Sequence, residues 1–217
     1  MAAVVKVLKD RYPAAECALR WEGDPWRLLV MGRLSAQCTD KRVNEVAGPL
    51  FAAFPSAADM ARAEIAAIEA LVRPCGLYHT KARDLKEASR QIVEDFGGEL
   101  PREMDELLTL AGVGRKIAHL LRGDVFGLPA VVTDTHCIRI GGRLGFYPEE
   151  EKTPVKVERI LTALVEPEES ADFCHRLVLF GREVCSARSP ACGSCPLAER
   201  GLCEHDRRAK AKARASL

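Results

Sequence analysis

Apolar side chains recur along most of this chain at spacings of three and four residues, which place them on one face of a helix. The clearest stripe runs from Leu85 to Phe96, with Thr80 as its predicted N-cap and Gly97-Gly98 as its glycine C-cap. Other segments with helical spacing are 25–37, 40–53, 57–72, 105–110, 115–122, 135–144, 154–165 and 171–184. Because no alternating pattern is long enough for a strand, the chain is predicted to be all-α, with short loops joining many helices.

Charge is nearly balanced over the whole chain but is distributed in blocks. The 217 residues include 32 Lys and Arg and 31 Asp and Glu, and the net charge of +1 excludes a uniformly basic coat. Residues 113–143 carry +3, residues 144–172 carry −5 and residues 173–217 carry +5. This alternation predicts that a polyanion binds one part of the surface and is repelled from the adjacent part.

Cysteine content indicates metal or thiol chemistry. No apolar run approaches the ~18 residues of a membrane helix, and the first ten residues do not have the pattern of a secretory signal. Nine cysteines without an export signal argue against a disulfide scaffold and favour the cytoplasm as the compartment. The basic tail at 206–217, in which alanine separates many of the basic residues, is predicted to be disordered.

A glycine turn between two short helical segments is the first candidate site. In residues 107–121, Gly112 and Gly114 allow a tight turn, and the helix after Gly114 presents free backbone N–H groups. Those groups and the positive end of the helix dipole form a site for an anion such as a DNA phosphate. An ordinary turn between two helices explains the local spacing about equally well.

Two candidate reactive residues lie at predicted helix starts. The helix dipole and Arg115 both disfavour the ammonium form of Lys116 and so favour a nucleophilic amine, and burial in a cleft would add to this effect. The local pattern alone is more typical of a phosphate anchor or a solvated helix face. Asp134 has the pattern of an N-cap for the helix that begins near Thr135.

Four cysteines near the C-terminus have the spacing of a metal site. Cys185, Cys192, Cys195 and Cys203 are separated by six, two and seven residues. Four thiolates in 19 residues suit an iron–sulfur cluster or a zinc ion, and the spacing alone leaves both open. Exchange of one ligand for Cys174 is a less favoured arrangement.

These motifs together resemble a known family. The segment from Leu110 to Lys116 resembles the helix-hairpin-helix motif of DNA glycosylases, and residues 131–136 resemble the loop and aspartate that follow it. The remaining matches are residues 34–40 (LSAQCTD), residues 76–78 (GLY) and the four cysteines. Over residues 5–205 the chain is similar to the endonuclease III family.

The resemblance implies two helical lobes with a basic DNA-binding cleft between them. One lobe is a six-helix barrel with the helix-hairpin-helix at 21–130, and the other is an iron–sulfur cluster lobe made from 1–20 and 131–205. The expected cofactor is a [4Fe–4S] cluster on the four cysteines, although the last spacing is two residues longer than the family pattern. The expected role of the cluster is to shape the loop that carries Arg188, whose charge can meet phosphate.

The implied activity is base-excision repair of duplex DNA by a bacterial, cytoplasmic, nucleoid-associated monomer. Lys116 would attack the sugar, release an oxidised pyrimidine and form a Schiff base that leads to cleavage at the abasic site, and Asp134 would stabilise positive charge on the sugar. One alternative is a mismatch glycosylase without lyase action, against which Lys116 argues. Another is a silent DNA-structure binder, against which the pair of Lys116 and Asp134 argues.

The resemblance also implies roles for residues that contact DNA. Gln37 and Leu77 are expected to fill the gap left by an extruded nucleotide, while Tyr78 and His79 support that loop or its phosphates. His136 is expected to contact DNA or to support the site. Positions at which the chain departs from the family pattern are Ala111 (for a proline, expected to loosen the turn), Pro74, Cys38, His119 and Gly142.

Overall fold

The computed structural model describes residues 1–215, and within them it contains α-helices and three 3₁₀ turns but no strand. The helices are α1 (Ala2–Arg11), α2 (Pro25–Leu34), α3 (Asp40–Ala53), α4 (Ala57–Arg62), α5 (Ile65–Val72), α6 (Tyr78–Asp95), α7 (Met104–Leu107), α8 (Arg115–Asp124), α9 (Thr135–Leu144), α10 (Pro154–Leu164), α11 (Ser170–Glu183), α12 (Pro196–Glu199) and α13 (Glu204–Ala215). The 3₁₀ turns are Arg73–Cys75, Pro167–Glu169 and Cys192–Ser194. The predicted all-α fold is confirmed.

The chain divides into two compact units. The continuous unit is Cys17–Gly127, and the two-segment unit combines Met1–Glu16 with the chain from Leu128 onward. These boundaries differ by a few residues from the expected 20/21 and 130/131. Residues 17–20 belong with α3 because Asn44 donates to the Ala18 carbonyl and accepts from the Arg20 N–H, both at 3.0 Å.

A buried central helix organises the continuous unit. Asp24 caps α2 by accepting from the N–H groups of Trp26 and Arg27, and Pro25 occupies the first helical position, where its missing N–H costs nothing. The α2 side chains from Leu28 to Met31 are fully buried. Trp26 donates from its ring nitrogen to Ser89 Oγ at 3.0 Å, which joins α2 to α6. The core of this unit therefore forms around α2.

Two local expectations about this unit are wrong. The segment 57–72 is two helices, because Ala63 adopts extended backbone (ψ 149°) and its carbonyl accepts a hydrogen bond from Lys86 at 2.7 Å. Thr80 is not the N-cap of α6, because the helix already begins at Tyr78 and Leu77 is the preceding residue. The glycine end of α6 is confirmed, since the Gly98 N–H donates to the Ile92 carbonyl at 2.8 Å.

The two-segment unit is joined by a buried arginine. Arg176 is 1% exposed and bonds Glu169 and Asp172, each at 2.7 Å, and the Tyr12 carbonyl at 3.3 Å. Because Tyr12 follows α1 while Arg176 lies on α11, one guanidinium connects the N-terminal segment to the rest of the unit. A buried charge is tolerated only when its hydrogen bonds are satisfied, as they are for Arg176.

The expected disordered tail at 206–217 is helical wherever the structure describes it. α13 reaches Ala215, and residues 216 and 217 lie outside the described part of the chain. Glu204 pairs with Arg207 and Arg208, while Asp206 pairs with Lys210 at 2.8 Å. Alanine and pairs at i,i+3 and i,i+4 both favour helix, so the basic composition alone was misleading. Within residues 1–215, no helix is long and apolar enough to cross a membrane.

Candidate functional site

The glycine turn before α8 is seated on an ion pair between α2 and α6. Arg33 Nη2 and Nε lie 2.6 and 2.7 Å from Asp84 Oδ2. Gly112 has φ +72°, and a Cβ built on it would lie 2.6 Å from Arg33 Nε and 2.8 Å from Asp84 Cβ. Both the left-handed backbone and the close approach require glycine here. The ion pair therefore fixes the position of the turn.

A side chain that the sequence did not single out holds the same turn. Gln91 on α6 accepts from the Ala111 N–H at 2.8 Å and donates to the Thr109 carbonyl at 3.1 Å. A proline at position 111 could not donate this hydrogen bond, so Ala111 gives the turn a contact that the family pattern lacks, while its expected loosening stays a prediction. Gln91 belongs to the polar face of an amphipathic helix, so the pattern carried no signal for its role.

The start of α8 is open. Gly114 is its N-cap with extended backbone (φ −98°), no side chain caps the helix, and nothing lies within 4 Å of a Cβ built there. Arg115 and Lys116 are the first two helical residues, and both are exposed. Within residues 1–215 the Lys116 amine makes no hydrogen bond or ion pair. The expected burial of Lys116 is therefore absent, and its amine is accessible to a ligand.

The start of α9 is closed by its own cap. Asp134 Oδ1 accepts from the Cys137 N–H at 2.7 Å, as the sequence predicted, and the residue is half-buried. Within the described residues the second oxygen, Oδ2, makes no hydrogen bond. One oxygen therefore fixes the carboxylate while the other remains available to a positively charged group.

Gln37 and Leu77 share an unusual backbone conformation. In residues 1–215 only three non-glycine residues have positive φ, and these two are among them, at +53° and +49°. Gln37 lies in the turn after α2, Leu77 directly precedes α6, and both are exposed. A left-handed conformation in a residue with a side chain stores strain of about 1–3 kcal/mol. The continuous unit thus presents these two side chains on strained turns.

Tyr78 and His79, which follow Leu77, contact each other and nearby charged side chains. The Tyr78 and His79 ring centroids lie 4.0 Å apart, and the Arg73 guanidinium lies 5.6 Å from the Tyr78 ring centre. His79 Nδ1 is 2.8 Å from Glu69 Oε1.

His136 is half-buried on α9, 3.2 Å from Arg139, and packs directly against Gly181 of α11. His136 therefore contributes to the packing of α9 against α11, and its expected DNA contact or support of the site stays a prediction.

The four cysteines line one pocket of the two-segment unit. Its volume is about 370 Å³ including its open mouth, and Cys185, Cys192, Cys195 and Cys203 all contribute to its wall. Burial and the nearby thiols of Cys185 and Cys195 raise the pKa of Cys192, and burial raises the pKa of Cys203. Clustered thiols that oppose one another's ionisation are stabilised when a metal centre replaces their protons.

The donor set of the pocket fits an iron–sulfur cluster. Four cysteine sulfurs line its wall, and in a [4Fe–4S] cluster each of four cysteines binds a different iron. Within residues 1–215, no group of three or more His, Cys, Asp or Glu side chains is close enough to hold one metal ion.

A buried arginine supports the loop beside this pocket. Arg143 donates to Cys185 Sγ at 3.3 Å, to the Ser186 carbonyl at 2.7 Å and to the Ala187 carbonyl at 2.9 Å. Arg188 follows in the same loop and is exposed. The sequence identified Arg188 but not Arg143, because an arginine in a helix gives no indication of burial.

Two family descriptions match the chain. Residues 30–167 match the HhH-GPD superfamily base excision DNA repair proteins. Residues 185–200 match the iron–sulfur binding domain of endonuclease III, a range that includes the first three cysteines and ends before Cys203.

Individual proteins and solved structures are similar over nearly the whole chain. Identity to Endonuclease III of Synechocystis sp. is 42%, covering 90% of this chain and 88% of the relative. Identity to Endonuclease III of Bacillus subtilis is 40%, covering 87% and 85%. A non-covalent Endonuclease III–DNA complex has a TM-score of 0.88 at 36% identity and 96% coverage of both chains. A trapped Endonuclease III–DNA covalent intermediate has a TM-score of 0.87 at 36% identity and 95% coverage of both.

Proposed function

The chain belongs to the endonuclease III family of base excision DNA repair proteins, and from that premise we propose how its own residues perform the reaction. The protein is a DNA glycosylase with abasic-site lyase activity, and it binds DNA. The proposed substrate is duplex DNA with an oxidised pyrimidine or an abasic site. A monomer processes it in the bacterial cytoplasm, at the nucleoid.

Lys116 is the nucleophile in this proposal. Its neutral amine attacks the anomeric carbon of the damaged nucleotide, the bond from that carbon to the base breaks, and the base leaves with the electron pair. Loss of the amine proton and opening of the sugar ring give a Schiff base, and removal of a C2′ proton expels the 3′ phosphate. The exposed, unpaired amine at the start of α8 supports this assignment.

Asp134 stabilises the reacting sugar electrostatically and forms no covalent bond to it in this proposal. Its Oδ1 is held by the Cys137 N–H, while Oδ2 can face the positive charge that develops on the sugar when the base leaves. A fixed carboxylate costs little reorganisation at that moment, which is the condition for effective electrostatic stabilisation. The N-cap role and the catalytic role are therefore compatible in one side chain.

DNA is held through its phosphates and opened by side chains of the continuous unit. The uncapped first turn of α8 offers N–H groups and a positive dipole end to a phosphate, with Arg115 adjacent. Gln37 and Leu77 fill the space vacated by the extruded nucleotide, and their exposure on strained turns supports this role.

The protein carries a [4Fe–4S] cluster. We assign its ligands to Cys185, Cys192, Cys195 and Cys203, because all four line one pocket. A cluster bound there would tie the loop that carries Arg188 to α12 and α13. The Arg188 guanidinium would then be held where it can reach a DNA phosphate. Purified protein should contain iron and no stoichiometric zinc, and Cys203→Ala should lower the iron content if Cys203 is the fourth ligand.

The observation that carries the proposal is the accessible Lys116 amine at an uncapped helix start. The test is borohydride trapping on duplexes that contain one thymine glycol, one abasic site, one mismatch or no lesion. Adducts with the first two only are expected. Base release from the mismatch without any adduct would favour a monofunctional enzyme, and binding without base release or adduct would favour a silent binder.

A further inference from the structure

A fully buried lysine joins the two strained turns that carry Gln37 and Leu77. Lys81, in the first turn of α6, is 0% exposed. Its ammonium donates to the Leu34 carbonyl at 2.9 Å and to the Cys75 carbonyl at 2.8 Å. Leu34 ends α2, three residues before Gln37, and Cys75 ends a 3₁₀ turn, two residues before Leu77.

Both carbonyls are of the kind that a helix leaves unpaired. The last carbonyls of a helix have no partner within it and lie at the negative end of its dipole, where a cation is favoured. Lys81 therefore caps two helix ends with one group. Because a left-handed residue follows each end within three residues, the ammonium fixes where both turns begin.

Burying the Lys81 ammonium costs free energy, which suggests that this residue fixes the positions of the two turns rather than stabilising the fold. A buried ammonium loses its hydration, and an apolar side chain of similar size would usually be cheaper at such a position. Burial lowers the pKa of Lys81, and the nearby thiols of Cys75 and Cys38 partly oppose this shift. The left-handed residues it anchors are themselves strained and persist only where surrounding contacts hold them.

We propose that Lys81 is a positioning residue for strand opening, which fixes the spacing of the Gln37 and Leu77 turns so that both side chains enter the duplex together. This inference rests on the proposed gap-filling role of those two residues. Lys81 itself is buried, so it acts through the backbone of the turns rather than through the DNA.

The chain offers a matched control for this proposal on the same helix. Lys86, like Lys81, donates from its ammonium to the backbone, but to one carbonyl only, that of Ala63, at 2.7 Å. Ala63 follows α4 and leads to neither strained turn. Lys81→Met and Lys86→Met remove the same charge and the same type of hydrogen bond from α6, so they separate positioning from general stability.

The experiment compares duplex and single-stranded substrates. On a duplex with one thymine glycol, Lys81→Met should slow base release by ~10- to 100-fold, the range expected for a small misplacement of a positioned group. Trapping on a single-stranded abasic site needs no strand opening and should be unchanged. 2-Aminopurine opposite the lesion should brighten with wild type and Lys86→Met, but not with Lys81→Met.

The outcomes separate the positioning role of Lys81 from the gap-filling role of Gln37 and Leu77. If Lys81→Met reduced base release on the duplex and trapping on the single strand equally, or reduced neither, the positioning role of Lys81 would be overturned. If Leu77→Ala leaves the duplex rate and the fluorescence unchanged, the gap-filling role fails as well. If Lys81→Met does not fold, Lys81→Arg keeps the charge but alters the donor geometry, and the same duplex-specific loss is expected at smaller size.

Discussion

The two proposed catalytic residues lie at the starts of α8 and α9, and these two helices start in opposite ways. α8 follows Gly114, which offers no capping side chain, and its second residue, Lys116, is exposed. α9 follows Asp134, whose carboxylate accepts the Cys137 N–H, so the reactive group is itself the cap. One helix start is open to solvent, and the other is closed by its own side chain.

The difference separates two uses of a helix N-terminus. An open start keeps its N–H groups and dipole for an external anion, which suits binding of a phosphate next to a nucleophile. A closed start uses the same groups to fix a carboxylate, which suits a residue whose orientation matters. Variants that interchange or remove these features test the comparison.

The largest expected effect comes from Lys116→Ala. Removal of the amine should abolish the borohydride-trapped adduct, while binding to abasic DNA persists through phosphate contacts. Lys41→Ala is the control, since Lys41 is likewise exposed and the second residue of a helix, but one capped by Thr39. Trapping at wild-type yield by Lys116→Ala would show that another amine is the nucleophile.

Asp134→Asn should have the next largest effect. Asparagine caps nearly as well as aspartate, so the free energy of unfolding should change little. Loss of the charge should slow base release by ~10²- to 10³-fold. Asp134→Ala should show the same rate loss and, in addition, cost about 1 kcal/mol of stability by urea unfolding. A normal rate in Asp134→Asn would limit this residue to capping.

Gly112→Ala tests how the open start is held in place. The methyl group would collide with the Arg33–Asp84 pair in a left-handed conformation, and a loss of about 1–3 kcal/mol is expected. Gly114→Ala is the matched change two residues later, where the backbone is extended and the space is empty. Its urea midpoint should stay close to that of wild type. Equal destabilisation by both variants would contradict this account of the turn.

Gly114→Asp, which gives α8 the cap that α9 has, should have the smallest effect. The new carboxylate should stabilise the protein by a few tenths of a kcal/mol, as capping residues do relative to glycine. It would also occupy the phosphate position with negative charge and weaken DNA binding about tenfold. Gly114→Ser caps without charge and should weaken it less. Unchanged affinity of Gly114→Asp in a filter-binding assay would show that no phosphate sits there.

The features predictable from the sequence are those set by local pattern. Helical spacing identified most of the helices, glycine spacing identified the turn before α8, and the cap position of Asp134 followed from residue type. Cysteine spacing identified four residues that line one pocket. Each of these depends on residues that are close in sequence, so the local pattern was sufficient.

The missed features depend on contacts between distant residues. Lys81 and Gln91 lie on an amphipathic helix of mixed polarity, and only the positions of Leu34, Cys75 and Ala111 give them their roles. The helix at the C-terminus was missed for a different reason. Its basic composition resembles disorder, and the acidic partners Glu204 and Asp206 that pair with it lie at its very beginning.

Side chains from outside the segment maintain the turn before α8, and this limits whether the segment can fold on its own or in another protein. Gln91 bonds its backbone, and the Arg33–Asp84 pair lies beneath Gly112, so its shape is maintained from α2 and α6. A synthetic peptide of residues 104–124 would lack all three side chains and should not keep the turn. Transplanting the segment into a foreign scaffold would succeed only if equivalents of those side chains were built in with it.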